Sequence, residues 1–300
     1  MIYTLTLNPS IDYVVELDRF SSGITNRSNH EEYYVGGKGI NVSYILSQLK
    51  TESTALGFIA GFTGNEIEHR LGDMGICSDF IRLKNGISRI NIKLRAGEES
   101  EINCQGPSPD DEEISLLMEK IDRISDGDTL ILAGSVPKTT SADIYEIILG
   151  RVADKNIRTV VDAAGQLLLS CLHCRPFLIK PNRQELSELF CRDVRTEQET
   201  EECAHELMYL GAQNVIVSLG ADGAVLFADN GKTYHSGVLH DRVIGTVGSG
   251  DSMVAGFVAG YQQQQDYEYA LKLGTACANA TAFSNGLASR EKIDEIFNRL

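Results

Sequence analysis

The sequence predicts an α/β fold in which a mostly parallel central sheet is covered by helices on both faces. Four short apolar runs predict buried strands, at 129–133, 158–161, 177–179 and 215–217. Helical patterns separate these runs, and strands that are apolar throughout are typical of a parallel sheet that is buried on both sides. Polar residues or glycines follow each run, so functional residues are expected at the carboxyl ends of the strands.

Other segments alternate between apolar and polar residues and predict half-buried strands. Residues 88–98 place apolar side chains on one side and the polar side chains of Arg89, Asn91 and Lys93 on the other. This polar face could look towards a ligand, or it could simply face solvent, and the pattern alone favours solvent. Similar but shorter patterns occur at 12–16 and 31–35.

Length and charge limit the classes of function. A chain of 300 residues with 42% hydrophobic content can bury a core in one large domain or two smaller ones, and we expect a single domain over residues 1–300. Lysine and arginine total 27 against 42 acidic residues, which gives a net charge of −15. This charge repels nucleic acid and anionic membranes. An anionic substrate must therefore meet a local cluster of cations.

Because the sequence shows no targeting segment and its cysteines suit reduced thiols, we expect a cytoplasmic protein. No basic segment precedes an apolar run at Met1, and no stretch approaches the roughly 18 to 20 apolar residues that span a bilayer. The seven cysteines have no regular spacing, which favours reduced thiols over a disulfide framework. The pair Cys171 and Cys174 is expected in the core or a loop rather than at a metal, because no second CxxC accompanies it.

A glycine-rich segment at 245–251, GTVGSGD, runs directly into an amphipathic helical pattern. Unpaired N–H groups of Gly248, Ser249 and Gly250 at a helix N-terminus can hold a phosphate group. A carboxylate in the same turn, Asp251, can accept a proton from a hydroxyl while the N–H groups stabilise a transferring phosphoryl group. The alternative is that Asp251 caps the helix, and this segment alone favours the cap.

Several motifs resemble, in order and distance, those of the ribokinase-like sugar kinases, also called the PfkB family. They are TLNPSID at 6–12, GGKGIN at 36–41, GSVP at 134–137, KPNRQEL at 180–186, SLGADG at 218–223 and GSGD at 248–251. Because they extend over nearly the whole chain, the protein is identified as a member. The resemblance implies a ribokinase-like three-layer α/β/α sandwich with a small β-sheet lid. The lid strands are expected within about 12–35 and 88–104, and the lid would also form a homodimer contact.

The GGKGIN motif fits neither a P-loop nor a dinucleotide-binding fingerprint, because the glycine spacings differ. Its glycines let the backbone approach a ligand closely, and the resemblance implies a site for sugar hydroxyls. A phosphate on the acceptor also requires cations. The residues expected at the acceptor are Asp12, Arg27, Gly37, Lys38, Asn41, Arg89, Asn91, Lys93, Ser135 and Lys138.

The resemblance also implies that the protein uses ATP and Mg²⁺. Asn182 and Glu185 form an NxxE pattern, which in this family organises the water shell of Mg²⁺. On sequence alone a helix start with a capping interaction is an equally good explanation of the same two residues. The nucleotide is further expected at Ser218, Gly220, Gly223 and Asn279.

Two further sequence stretches indicate which sugar phosphate accepts the phosphoryl group. The stretches at 101–107 and 282–288 most resemble family members that act on fructose 1-phosphate, and they fit those acting on tagatose 6-phosphate less well. The implied reaction is transfer of phosphate from ATP to the 6-hydroxyl of D-fructose 1-phosphate, with Asp251 as general base. Tagatose 6-phosphate remains the alternative acceptor. A sugar-phosphate or nucleotide sensor without turnover is a further alternative, which the presence of both base and glycines disfavours.

Two departures from the family pattern are visible. Ser249 stands where alanine is commoner, which should matter little because the backbone makes the contact. Ala163 and Ala164 stand where relatives often have hydroxyl residues, so no polar role is expected there.

Overall fold

The computed structural model describes residues 1–137 and 140–300, and these residues form two sheets and a set of helices. The strands are β1 (Ile2–Thr6), β2 (Ser10–Glu16), β3 (His30–Gly36), β4 (Ser53–Ala60), β5 (Cys77–Ser78), β6 (Ile81–Leu83), β7 (Arg89–Ala96), β8 (Glu98–Ile102), β9 (Thr129–Ala133), β10 (Arg158–Asp162), β11 (Leu178–Ile179), β12 (Asn214–Ser218), β13 (Ala224–Phe227) and β14 (Thr233–His235). The helices are α1 (Lys38–Gln48), α2 (Gly61–Asp73), α3 (Asp111–Asp122), α4 (Ile144–Arg151), α5 (Gly165–Cys171), α6 (Arg183–Leu189), α7 (Glu197–Tyr209), α8 (Ser249–Gln264), α9 (Tyr267–Ala282) and α10 (Arg290–Arg299).

The main sheet has the strand order β14-β13-β12-β11-β10-β9-β1-β4-β5, and β6 pairs with β4 beyond this path. The pairs from β12 through to β5, and the pair of β6 with β4, are parallel, while β13 and β14 run antiparallel at one edge. The mostly parallel sheet predicted from the sequence is thus confirmed. Its parallel strands bring their carboxyl ends to one edge, where the polar motifs meet.

Helices cover both faces of this sheet. In β9, Leu130 and Leu132 pack into the cluster that contains α3, α4, α5 and α7, while Ile131 and Ala133 pack into the cluster that contains α1, α8, α9 and α10. Successive residues of a strand point to opposite faces, so a strand buried on both faces must be apolar throughout. This explains why the runs in the sequence do not alternate, and it gives the predicted three layers.

Helix α8, which begins with the catalytic candidates, packs closely against α9. A Cβ at Gly256 would lie 2.7 Å from the carbonyl oxygen of Leu273, and one at Gly260 would lie 2.9 Å from the Cα of Ala270. Such distances require glycine, because a side chain would push the helices apart. The backbones of α8 and α9 are therefore in close contact at these two positions.

The second sheet has the order β3-β2-β7-β8. Strand β2 pairs antiparallel with β3 and parallel with β7, and β7 pairs antiparallel with β8. The register places Asp12 opposite Asn91, so both side chains lie on the same face. The small sheet that the family resemblance implies is present.

Cys171 is buried in the core at the end of α5, and Cys174 lies half-buried in the turn that follows. Among the described residues no group of histidine, cysteine or acidic side chains is arranged to hold a metal ion. Cys171 thus lies in the core and Cys174 in a turn, which are the places predicted for the pair. Within the same described ranges, no helix combines the length and apolar character needed to cross a membrane.

Candidate active site

A cleft of about 740 Å³ separates the carboxyl edge of the main sheet from the small sheet. Most residues predicted for the site line this cleft. They are Asp12, Gly37, Lys38, Asn41, Arg89, Asn91, Lys93, Ser135, Asn182, Glu185, Gly248, Gly250 and Asp251. The fold thus gathers side chains that lie more than 200 residues apart in the sequence.

Asp251 lies in the first turn of α8, and its side chain is buried. The Nδ2 group of Asn41 donates a hydrogen bond to its Oδ2 atom at 2.7 Å. Burial, together with the negative charge of Asp162, raises the pKa of Asp251 to about 6. Gly248 is the N-cap residue and no side chain caps the helix, so Asp251 does not have the capping role that the segment alone favoured.

Gly248 is required by the backbone of the turn, and Gly250 leaves room for a lysine side chain. Gly248 has a φ of 80°, and a Cβ there would lie 2.6 Å from Cδ2 of Leu287. A Cβ at Gly250 would lie 2.9 Å from the Nζ atom of Lys180. Among the described residues, no hydrogen-bond acceptor faces the N–H groups of Gly248 and Gly250. Both N–H groups therefore remain available to an anion at the start of α8.

Ser249 is also predicted to offer its N–H group to this anion, and that role stays a prediction. Its N–H group donates to the carbonyl oxygen of Thr246 at 3.2 Å, because this bond closes the turn that leads into α8. Its hydroxyl is buried and has no hydrogen-bond partner among the described residues. Ser249 is also not among the residues that line the cleft.

Two lysines and a second aspartate lie beside Asp251. Oδ1 of Asp162 lies 3.3 Å from Nζ of Lys38 and 3.7 Å from Nζ of Lys180. Asp162 and Lys180 are only 2% and 6% exposed, so their pair is well shielded from water, whereas the side chain of Lys38 is 37% exposed. Neither residue is predicted for the site from the sequence, although Lys180 opens the KPNRQEL motif and Asp162 directly follows the apolar run at 158–161. Their positions directly after β11 and at the end of β10 were the signal.

The small sheet supplies the opposite wall. Oδ1 of Asp12 accepts hydrogen bonds from Oγ of Ser10 at 2.7 Å and from Nδ2 of Asn91 at 2.8 Å. A Cβ at Gly36 would lie 2.7 Å from Oδ2 of Asp12, so glycine is needed for β3 to pass this close. These bonds fix the carboxylate of Asp12 and leave Oδ2 free to accept from a ligand hydroxyl.

Two cations lie on the same face of β7. The Nε group of Arg89 donates to the carbonyl oxygen of Asn8 at 3.0 Å, and burial lowers the pKa of the Arg89 guanidinium. Lys93 pairs with Glu101 of the neighbouring strand. Because both cations line the cleft, this face of the strand is not the solvated face that its pattern alone favoured.

Asn182 and Glu185 form a reciprocal cap at the start of α6. Oδ1 of Asn182 accepts from the N–H of Glu185 at 2.8 Å, and Oε2 of Glu185 accepts from the N–H of Asn182 at 2.8 Å. The capping explanation is therefore correct. Both residues also line the cleft, where one carboxylate and one amide fit a cation held through water rather than a direct ligand set. Their role towards Mg²⁺ stays a prediction.

Other predicted residues are not brought into the cleft. Arg27 is exposed in the connection between β2 and β3. Ser218 ends β12 and forms an isolated bridge with Asn182, which places the turn carrying Gly220 and Gly223 beside the cleft rather than in it. Asn279 is part of α9. Lys138 lies outside the described residues.

Ala163 and Ala164 line a neighbouring cavity of about 760 Å³, next to Asp162.

Comparison with known proteins adds a family and named relatives. A family model described as pfkB family carbohydrate kinase matches residues 5–293. A protein of Bacillus subtilis named 1-phosphofructokinase is 42% identical, with 99% of this chain and 97% of the relative covered. A D-tagatose-1-phosphate kinase of Bacillus licheniformis is 36% identical, with 100% and 98% covered. A tagatose-6-phosphate kinase of Staphylococcus epidermidis is 34% identical, again with 100% and 98% covered.

Solved structures give the same architecture. Phosphofructokinase-2 from Escherichia coli, solved in complex with fructose-6-phosphate, has a TM-score of 0.91 and 27% sequence identity. The match covers 100% of this chain and 98% of that protein.

Proposed function

We propose that this chain, which belongs to the pfkB family of carbohydrate kinases, transfers the γ-phosphoryl group of ATP to the 6-hydroxyl of D-fructose 1-phosphate. It is a sugar-phosphate kinase, and the family membership and close relatives support this class. The products would be fructose 1,6-bisphosphate and ADP. The observation that carries the proposal is the buried Asp251, which faces a cation-lined cleft at the start of α8.

The acceptor is inferred from two lines of support. The relatives named 1-phosphofructokinase and D-tagatose-1-phosphate kinase share, by their names, a phosphate at carbon 1 of a ketohexose. In the cleft, Arg89 and Lys93 lie on the small sheet, whereas Asp251 lies on the main sheet. A sugar anchored by its 1-phosphate to these cations would place its other end, with the 6-hydroxyl, towards Asp251.

Proton transfer is assigned to Asp251. An aspartate whose pKa is raised to about 6 is ionised at neutral pH, yet it is a stronger base than an ordinary aspartate. The hydrogen bond from Asn41 orients Oδ2, so Oδ1 is left to accept the proton of the attacking hydroxyl. The N–H groups of Gly248 and Gly250, and the ammonium group of Lys180 beside them, would stabilise charge on the transferring phosphoryl group.

The small sheet would recognise the sugar. Oδ2 of Asp12 and the amide of Asn91 are placed to bond ring hydroxyls, and Arg89 offers its remaining N–H groups to a phosphate. Lys93, which pairs with Glu101, would add a second positive charge.

The phosphate donor of a kinase of this family is ATP. Asn182 and Glu185 would hold Mg²⁺ through water molecules, and the ion would neutralise charge on the donor's phosphates. Ser218, Gly220, Gly223 and Asn279 remain the proposed nucleotide residues. The bridge between Ser218 and Asn182 supports a donor site that continues from the cleft towards this turn.

The opposite face of the small sheet suits the proposed homodimer. It carries the partly exposed apolar side chains of Tyr13, Val15, Ile92 and Leu94, and Ile102 is 56% exposed. A second copy of this sheet would cover that face, and light scattering of the purified protein would measure the mass.

A competition assay tests the proposed acceptor. Fructose 1-phosphate, tagatose 6-phosphate and fructose 6-phosphate are supplied together at equal concentration with ATP and Mg²⁺. We expect fructose 1-phosphate to be consumed with a kcat/KM at least about tenfold higher, because mismatched buried polar groups cost about 1 to 3 kcal/mol each. Preferential consumption of tagatose 6-phosphate would instead support that alternative. Absence of transfer to every sugar would support a sensor.

A further inference from the structure

Asp162 is a buried carboxylate that the proposed chemistry does not use. It ends β10, it is 2% exposed, and its Oδ1 atom faces the ammonium groups of both Lys38 and Lys180. Its Oδ2 atom is buried without a hydrogen-bond partner among the described residues. A carboxylate removed from water in this way is costly unless compensating charges surround it.

Asp162 also serves as the counter-ion that keeps the lysines charged and in place. Lys180 is 6% exposed, and a buried ammonium without a counter-ion tends to lose its proton or move towards water. Its Nζ atom lies beside Gly250, 2.9 Å from where a Cβ would stand, so a small displacement would change the anion site at the start of α8. Asp162 is thus placed to fix the position of this cation.

We propose that Asp162 is a positioning residue, which holds the ammonium groups of Lys38 and Lys180 at the cleft beside Asp251. The inference rests on the proposed function, because it concerns the same base. Two aspartates and two lysines then form a group that is neutral overall. An arriving phosphoryl group can share the lysine donors without removing either lysine from Asp162, since each ammonium has three N–H groups.

Charged and titratable groups reach Asp162 and Asp251 from several elements. Lys38 begins α1, Lys180 follows β11, and Glu185 lies in α6 near Lys38. Tyr145 of α4 is fully buried, its hydroxyl donates to the carbonyl oxygen of Gly134, and burial with the charge of Asp162 raises its pKa. Of these groups, the two lysines lower the pKa of Asp251, whereas Asp162 raises it.

The test compares Asp162→Asn with Lys180→Met, because the two changes should move the base in opposite directions. The acidic limb of kcat/KM against pH reports ionisation of the free enzyme's base. We expect the limb to fall by about one pH unit in Asp162→Asn and to rise by about one pH unit in Lys180→Met. Asp143→Asn is the matched control, since Asp143 lies at the rim of the neighbouring cavity and should leave the limb unchanged.

A second measurement needs no turnover. Urea unfolding of each protein, with and without Asp251→Asn, is followed from pH 5 to pH 8, and the difference within each pair reports the titration of Asp251. The pH at the midpoint of this titration should be lower when Asp162 is replaced. If the wild type does not phosphorylate fructose 1-phosphate but the midpoint shifts, the proposed acceptor is wrong and this inference holds.

Unchanged limbs and midpoints in both variants, with only a loss of stability, would overturn the inference and leave Asp162 as a structural residue. A shift of the same sign in both variants would also overturn it. If Asp162→Asn does not fold, Asp162→Glu, which keeps the charge but displaces it from the two lysines, is measured in its place, and an acidic limb identical to that of the wild type overturns the inference.

Discussion

The two walls of the cleft differ in burial and in the kind of contact that their polar side chains make. On the main-sheet wall, Asp251, Asp162 and Lys180 are each at most 6% exposed and interact through charge. On the small-sheet wall, Asp12 and Arg89 are half-buried and are held by hydrogen bonds to neighbouring polar groups. The main-sheet wall includes the first turn of α8, and this helix packs closely against α9.

We infer from this difference that the main-sheet wall performs the chemistry and the small-sheet wall recognises the sugar. Charges act strongly where water is excluded, so the main-sheet wall is suited to stabilising a transferring phosphoryl group and to raising the pKa of a base. A half-exposed wall of hydrogen-bonding groups binds the ground state of a sugar as well as its transition state. Changes on the first wall should therefore alter kcat, and changes on the second should alter KM.

The largest expected effect is that of Asp251→Asn. Loss of the base should lower kcat by about 10²-fold or more, while calorimetry should show nearly unchanged binding of ATP and fructose 1-phosphate. Asp73→Asn, which alters an exposed carboxylate of α2, is the control. Wild-type turnover in the Asp251 variant would remove the distinction between the walls.

The next effect is that of Arg89→Ala. A charge-assisted contact to the acceptor phosphate is worth roughly 1.5 to 3 kcal/mol, so KM for fructose 1-phosphate should rise about 10- to 100-fold with little change in KM for ATP. Steady-state kinetics with each substrate varied in turn measures both values. Arg82→Ala is the control, because Arg82 pairs with Glu68 at the surface outside the cleft. Equal increases in both KM values would argue against a recognition role.

The smallest effect concerns stability. Because the folded state raises the pKa of Asp251 to about 6, the native protein binds more protons than the unfolded chain between about pH 4 and 6. The free energy of unfolding therefore falls as pH rises through this range. Asp251→Asn removes that loss, so the variant should be about 1 to 3 kcal/mol more stable than the wild type at pH 8 and closer to it at pH 5. Urea unfolding at the two pH values provides the check. A variant less stable at pH 8 would contradict the buried, raised-pKa state of Asp251.

How much of the molecule could be predicted from sequence also differs between the walls. The main sheet was predictable because strands buried on both faces must be apolar throughout, as 129–133 shows. The strand pattern at 88–98 was equally clear, but a period of two cannot say whether a polar face meets solvent or a ligand. Only the register of Asp12 against Asn91 shows that Arg89 and Lys93 turn towards the cleft.

Contacts between residues far apart in the sequence are what local patterns could not predict. Asp162 and Lys180 follow buried strands, yet their pairing depends on the adjacency of β10 and β11, which no local pattern contains. The N–H group of Ser249 is used by a turn whose hydrogen bond depends on backbone angles rather than on residue type. Arg27 is predicted at the acceptor because it is a cation near a motif, but it is exposed and does not line the cleft.

The pH dependence of kcat/KM for fructose 1-phosphate, in the wild type and in Asp251→Asn, tests the central claim most directly. The base must be ionised to accept a proton, so the wild-type value should fall about tenfold per pH unit below about pH 6. The residual activity of the Asn variant should lack this limb. An identical acidic limb in both proteins would show that the ionising group is elsewhere, and it would contradict the assignment of Asp251 as the base.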